Sequence, residues 1–268
     1  MDFVQYSEQG GIATIRIDDG KRNALAPAVL HEIYAALDKA EADRATVILT
    51  GRESVFSAGF DLKVMNKGGG KALGMLRLGY GLPARVLAYP YPVIAACNGH
   101  SMAMGVFLML SADYIIGSRG DFKIAANEVA IGMTMPRVAA AVLRNRLTPA
   151  AFQRAVTLAE FFDPESAMAA GFFDEIVEPD ELMSRAQAQA QQFQTLDMHA
   201  HKESKRQQHG VKQVERDRAT DAADQLCANA ALGLLVGPGV QLFDVFGDLA
   251  GAVHQADRFD QFVEEPAL

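Results

Sequence analysis

Apolar and polar residues alternate from Ile12 to Ile17, the period of a strand with one buried face. Phe3 to Tyr6 reads as its partner across Gly10-Gly11, and Asp18-Asp19-Gly20 ends the strand as a turn. The period then lengthens. Leu30, Ile33, Tyr34 and Leu37 recur at helical spacing behind Pro27, which predicts an amphipathic helix over residues 27–43. Unbroken apolar runs at 45–50, 92–97 and 114–117 read as strands buried on both faces. Strand, helix, strand in this order predicts an α/β protein with parallel pairing under covering helices. From Pro136 onward the pattern is mainly helical, over 137–157, 179–194 and a charged stretch at 200–222, with a short strand at Glu175-Ile176-Val177. Gly237-Pro238-Gly239 interrupts it, and Phe243, Phe246, Leu249 and Val253 then return at helical spacing.

Composition narrows the classes. The 268 residues are enough for one large domain, or one domain with a helical appendage. A formal net charge of -8 argues against a nucleic-acid partner, which calls for a basic face. No apolar run reaches the length of a membrane span, and Met1 to Gln5 does not open a signal segment. The two cysteines, Cys97 and Cys227, offer neither a disulfide framework nor zinc spacing, and Cys97 lies in an apolar run as a packed thiol. A cytoplasmic protein with no metal, membrane or nucleic-acid partner is expected.

Two segments carry candidate chemistry. Phe56-Ser57-Ala58-Gly59-Phe60-Asp61-Leu62-Lys63 and Asn98-Gly99-His100-Ser101-Met102-Ala103-Met104-Gly105 each follow an apolar strand-like run and lead into a helical pattern. Small residues at such a turn free backbone N–H groups at a helix start, where the peptide dipoles favour negative charge. Two of these turns facing each other would hold a carbonyl oxygen that becomes an oxyanion.

Other motifs are weaker. Lys67-Gly68-Gly69-Gly70-Lys71 lacks the hydroxyl residue of a P-loop, because Ala72 follows, and reads as a mobile surface loop that could act as a lid. Ser101 could be a nucleophile, but no histidine lies between His100 and His199, and neighbouring side chains diverge in a turn. Asp113 fixes a loop, and Asp61 and Lys63 are solvated. Glu128, between Ala125-Ala126 and the apolar run to Gly132, has two readings. Burial would raise its pKa toward neutrality and suit it to acid–base work, or it caps the following backbone or pairs with Arg137. Met102, Met104, Met109, Met133 and Met135 fit either an adaptable apolar pocket or ordinary core.

Together these segments resemble the crotonase family, the enoyl-CoA hydratase/isomerase group. The resemblance covers about residues 1–195. It is carried by Asn23-Ala24-Leu25, residues 56–63, Asn98-Gly99 through Gly105 with Asp113, and Asn127-Glu128 through Gly132 and Pro136. It implies a spiral core of ββα units over residues 1–195. A C-terminal helical region over 196–268 would form homotrimers or hexamers of paired trimers. It implies a coenzyme A thioester substrate and no separate cofactor. The N–H groups of Phe60 and Met104 would hold the thioester oxygen. Asn23, Ala24 and the stretch Ala58, Gly59, Asp61, Leu62 would meet the adenine end, with Lys21 and Arg22 near the phosphates. Gly105 and Phe107 would also be substrate-binding residues. The match fades past about residue 225.

The departures bear on the reaction. Hydratases of the family use two glutamates, and here Phe107 stands where the first would be, while Glu128 matches the second. Ala103 and Met104 also replace glycines usual at the second turn. One carboxylate can move a double bond by taking a proton from C2 and returning it to C4, and the apolar Phe107 would exclude water. The expected reaction is therefore a 3-enoyl to 2-enoyl isomerisation with Glu128 as sole acid and base. A hydratase using Glu128 and an ordered water, a Clp-like serine hydrolase using Ser101, and a non-catalytic acyl-CoA binder are the alternatives.

Overall fold

The computed structural model of the chain describes residues 1–209. Strands β1 (Val4–Gln9) and β2 (Ile12–Ile17) form an antiparallel hairpin. Gly10 and Gly11 turn it at φ of 62° and 77°, conformations that suit the right-handed twist of a hairpin. Parallel strands β4 (Thr46–Thr50), β7 (Val93–Cys97), β9 (Tyr114–Ser118) and β11 (Glu175–Val177) extend it into one sheet, ordered β1-β2-β4-β7-β9-β11.

Both faces of this sheet are covered, which is why its strands read as unbroken apolar runs. On one face Ile15, Val47, Leu49, Val93 and Ile115 pack with Leu30, Ile33 and Leu37 of helix α1 (Pro27–Ala42). On the other, Ile12, Ile48, Ile94 and Ile116 meet Leu182, Ala186 and Ala190 of a later helix, Leu182–Phe193.

Past the end of each inner strand the chain adds a short strand to a second layer. β3 (Ala24–Leu25) pairs in parallel with β6 (Gly59–Phe60). β5 (Ser54–Ser57), β8 (Gly99–Met102) and β10 (Ile124–Ala125) form a parallel sheet with β8 in the middle. A helix follows each excursion: α2 (Leu62–Lys67) with α3 (Gly69–Leu87), then α4 (Met104–Leu110), then α5 (Arg137–Arg146). This is the spiral of ββα units that the resemblance implies.

Two sequence expectations need correction. The stretch 137–157 is not one helix. Leu147 is extended, and the Thr148 hydroxyl accepts from the Ala151 N–H to cap a new helix, α6 (Pro149–Leu158), with Pro149 in its first turn. Residues 67–71 are not a loop either. Gly68, at φ 64°, joins α2 directly to α3, which starts at Gly69.

The remaining helices are α7 (Pro164–Ala170), α8 (Leu182–Phe193) and α9 (Met198–His209). Lys205 of α9 is buried and pairs at 2.6 Å with Asp113, whose carboxylate also accepts the Val93 N–H. Asp113 thus fixes a loop, as expected from the sequence. Residues 210–222 of the charged stretch, Cys227, Gly237-Pro238-Gly239 and the Phe-rich tail lie outside the described residues.

Candidate active site

The site is assembled by short strands that bring distant segments into register. β3 and β6 pair Ala24 with Gly59 and Leu25 with Phe60. β5 and β8 bring Ser57 opposite Ser101. β10 runs along β8, with Ser101 N–H donating to the Lys123 carbonyl at 3.1 Å and Ala103 N–H to the Ala125 carbonyl at 2.9 Å. Glu128 then follows β10 by three residues.

Asn23 holds the first turn in place. It is completely buried and sits at φ 51°, a conformation asparagine tolerates. Its Nδ2 donates to the carbonyls of Ile17, Val55 and Phe56 at 2.8, 3.2 and 3.1 Å, and its Oδ1 accepts from Asp19 N–H at 3.1 Å. Its carbonyl accepts from Ser57 Oγ at 2.8 Å, and Ser57 Oγ accepts from Gly59 N–H at 3.1 Å. The side chain is committed to the fold, so the expected contact of Asn23 with substrate has no free side-chain atom behind it. Lys21 and Arg22 are exposed, Ala24 and Ala58 half-buried, and Leu62 exposed at the start of α2. Asp61 caps α2, its carboxylate accepting from the N–H groups of Lys63 and Val64, rather than standing free in solvent.

The two turns touch each other through glycines. A Cβ on Gly59 would sit 3.0 Å from the Met102 carbonyl oxygen and 3.3 Å from Met104 N. A Cβ on Gly105 would sit 2.6 Å from the Ser57 carbonyl oxygen. The missing side chain at Gly59 therefore lets the first turn close up against Met104, the first residue of α4, whose N–H has no acceptor within its own helix. Ala103 adopts φ 47° and ψ -122° to make this turn, a strained region for a residue with a Cβ. Phe60, one residue before the cap of α2, seats its ring against α3. A Cβ on Gly79 would lie 2.1 Å from that ring, and Tyr80 meets it edge-on with centroids 5.2 Å apart. Met104 and Phe107 are completely buried in the main core.

Glu128 opens the short 3-10 turn Val129–Ile131 and is 3% exposed. Both bland readings of it fail. Its side chain makes no cap hydrogen bond, it forms no ion pair among the described residues, and Oε2 has no partner. Burial pushes its pKa from 4.5 up to about 7, a hydrogen bond from its own backbone N–H pulling only weakly the other way. Such a carboxyl exchanges a proton near neutral pH.

The serine reading fails on geometry. Ser101 is completely buried and its Oγ has no hydrogen-bond partner. His100 Nδ1 accepts instead from the Lys123 N–H at 3.0 Å, so it steadies β10 and no base serves the hydroxyl. Cys97 is a packed thiol, donating to the Gly99 carbonyl, with burial raising its pKa to about 12. Among the described residues no group of His, Cys, Asp or Glu could hold a metal ion, and no helix is long and apolar enough to cross a membrane.

Sequence reasoning missed Gly79 and Tyr80. The available signal was the helical spacing of Leu76, Tyr80, Pro83 and Leu87, weakened by five glycines between Gly68 and Gly79.

Comparison with known proteins agrees with this geometry. Residues 7–229 match the sequence profile of the family described as Enoyl-CoA hydratase/isomerase. The chain is 45% identical to an enoyl-CoA hydratase/isomerase family protein from Pseudomonas syringae, covering 82% of this chain and 98% of that one with a TM-score of 0.78. It is 42% identical to an enoyl-CoA isomerase of Mycobacterium tuberculosis, covering 86% and 98% with a TM-score of 0.75. A probable enoyl-CoA hydratase of Mycobacterium avium, EchA17, is 33% identical over 197 residues, 72% of this chain and 76% of that protein.

Proposed function

The chain belongs to the enoyl-CoA hydratase/isomerase family, and on that footing we propose that it moves the double bond of a 3-enoyl-CoA thioester to the 2 position. Glu128, ionised, removes a proton from C2. The electrons pass into the thioester carbonyl, and the enolate oxygen lies between the N–H groups of Phe60 and Met104. Glu128 then returns the proton to C4, the double bond settles between C2 and C3, and atoms and charge balance without water or cofactor. Each N–H donor of such a hole is worth roughly 3 kcal/mol in acyl-transfer enzymes.

The observation that carries the reading is the isolation of Glu128. It is a buried carboxyl with a pKa near neutrality and no protein partner at Oε2. At the position matching the first of the two hydratase glutamates, the chain has the core residue Phe107. Similarity to a probable hydratase supports the second reading, in which Glu128 and an ordered water hydrate a 2-enoyl-CoA.

Wild type and Glu128→Gln, each incubated with a trans-3-enoyl-CoA and a trans-2-enoyl-CoA, separate the two. The expected result is a 2-enoyl product of unchanged mass from the first substrate, abolished in the variant. A product heavier by one water from the second substrate overturns the isomerase reading in favour of the hydratase. The proposal extends to a homotrimer or paired trimers in the cytoplasm, which sedimentation of the full chain would test.

A further inference from the structure

Ser57 lies where the paired turns meet, and its side chain is fully committed there. β5 carries one residue too many against β8: Val55 stands opposite His100 and Ser57 opposite Ser101, which leaves Phe56 over as a bulge. A bulge bends its strand and re-aims the side chains beside it. Asn23 Nδ2 takes up the Val55 and Phe56 carbonyls of this irregular stretch. The completely buried Ser57 then donates its hydroxyl to the Asn23 carbonyl at 2.8 Å.

The same Oγ accepts the Gly59 N–H at 3.1 Å, the turn that a serine side chain makes with the amide two residues on. The next amide along the chain is the Phe60 N–H. Ser57 also meets the second turn. A Cβ on Gly105, the residue after Met104, would lie 2.6 Å from the Ser57 carbonyl oxygen and 2.8 Å from the Ser57 Cβ. One residue therefore braces the peptide that precedes the first donor and abuts the residue that follows the second. The position calls for a donor and an acceptor on a short stem, with no bulk toward Gly105, and serine supplies both. Ser101, its register partner on β8, is equally buried, yet its Oγ has no partner among the described residues. A buried hydroxyl in this sheet does not by itself take on the bracing role.

We propose that Ser57 is a positioning residue for the oxyanion hole: its hydroxyl ties the Asn23 carbonyl to the Gly59 N–H and so holds the Phe60 N–H in a fixed direction relative to the Met104 N–H. This rests on the roles of Phe60 and Met104 proposed above. Ser57 is fully buried, meets no substrate and keeps its proton. Without its hydroxyl both donors are still present, but they no longer converge on one oxygen.

Convergence of the donors has its own readout. The infrared carbonyl band of a trans-2-enoyl-CoA labelled with carbon-13 at the thioester carbon reports how strongly the two N–H groups polarise it. Full-length Glu128→Gln binds the label without turning it over, and its band should lie below that of the free thioester. Adding Ser57→Ala should return the band about half of the way to the free position. With Glu128 in place, Ser57→Ala should lower kcat about 10–30-fold, less than the loss of a whole donor, and change KM by less than about threefold. The acid limb of the pH profile should stay where it is, because Glu128 is untouched. Ser57→Thr, which keeps the hydroxyl, should recover most of the rate and of the band position, and Ser101→Ala should alter neither. An unmoved band in Ser57→Ala overturns the proposal even if the rate falls, since lost packing alone would slow the enzyme. So does a Ser57→Thr enzyme as slow as Ser57→Ala, or a Ser101→Ala enzyme that behaves like it. If Ser57→Ala does not fold, Ser57→Cys, whose S–H is a weaker donor, gives the same test: an intermediate band supports the role and an unmoved one overturns it. If the band moves but wild type converts neither enoyl-CoA, the proposed reaction fails and the role of Ser57 stands.

Discussion

Replacing Glu128 by Gln should remove activity and stabilise the protein, and the stabilisation should depend on pH. A carboxyl pKa raised from 4.5 to about 7 means that the folded protein holds the proton more tightly than the unfolded chain. Below pH 4.5 both states are protonated and the group costs nothing. As pH rises through the window from 4.5 to about 7, the unfolded chain ionises first and stability falls. Above that window the folded state carries the whole penalty, about 3 kcal/mol. Gln has no proton to lose, so its stability lacks this slope. Its buried amide leaves N–H groups unpaired at about 1–3 kcal/mol, but that cost does not change with pH. The informative quantity is therefore the stability of the variant minus that of wild type, measured by urea unfolding at one protein concentration from pH 4.5 to 8. It should climb by about 3 kcal/mol, or roughly 6–12 °C in melting temperature for a chain of this size. Wild-type kcat/KM should fall about tenfold per pH unit below pH 7 over the same range. A flat stability difference, or activity unchanged down to pH 5, would refute the reasoning.

Two further substitutions probe the paired turns. Gly59→Ala places a Cβ 3.3 Å from Met104 N at a backbone φ of 83°, and should lower kcat by about 10²–10³-fold, as loss of one oxyanion donor does, with about 1–2 kcal/mol of stability lost to the left-handed backbone; initial rates near wild type would count against the contact of the two turns as the oxyanion site. Ala103→Gly relieves a residue held at φ 47° and ψ -122°. The strain is about 1–3 kcal/mol, offset by about 0.4–1 kcal/mol from the freer unfolded glycine, so calorimetry should find a melting temperature a few degrees higher, and a fall would show that no strain is stored there.

Much of the first layer was legible in the sequence because burial on both faces turns each inner strand into a plain apolar run, as at Val47 to Leu49 and Val93 to Cys97. The second layer was not. β3, β6 and β10 are two residues long, too short for any period, and exist only because partners from distant segments pair with them. The start of α3 was hidden by Gly68 to Gly70, which read as a loop until Gly68 is seen to serve as a junction between helices. Glu128 stood out as an acid in an apolar setting, but choosing between base and cap took its burial and its empty Oε2. Asn23 belonged to a recognisable motif, yet its work is internal, since three carbonyls compete for its amide. Tyr80 stands at a helical spacing like any packed residue; only the fold sets it beside Phe60.

The glycine contacts between the turns have a genetic consequence. The groups proposed to stabilise charge belong to the peptide backbone, so a change of side chain at Phe60 or Met104 need not remove them. A single-base change at the first or second position of the codon of Gly59, Gly79 or Gly105 adds at least a Cβ or stops translation, and at these three positions the added atom meets neighbours at 3.0, 2.1 and 2.6 Å. A saturation library screened for growth on an unsaturated acyl substrate would therefore rank the codons of these three residues, which contribute no functional group, beside that of Glu128 among its most intolerant.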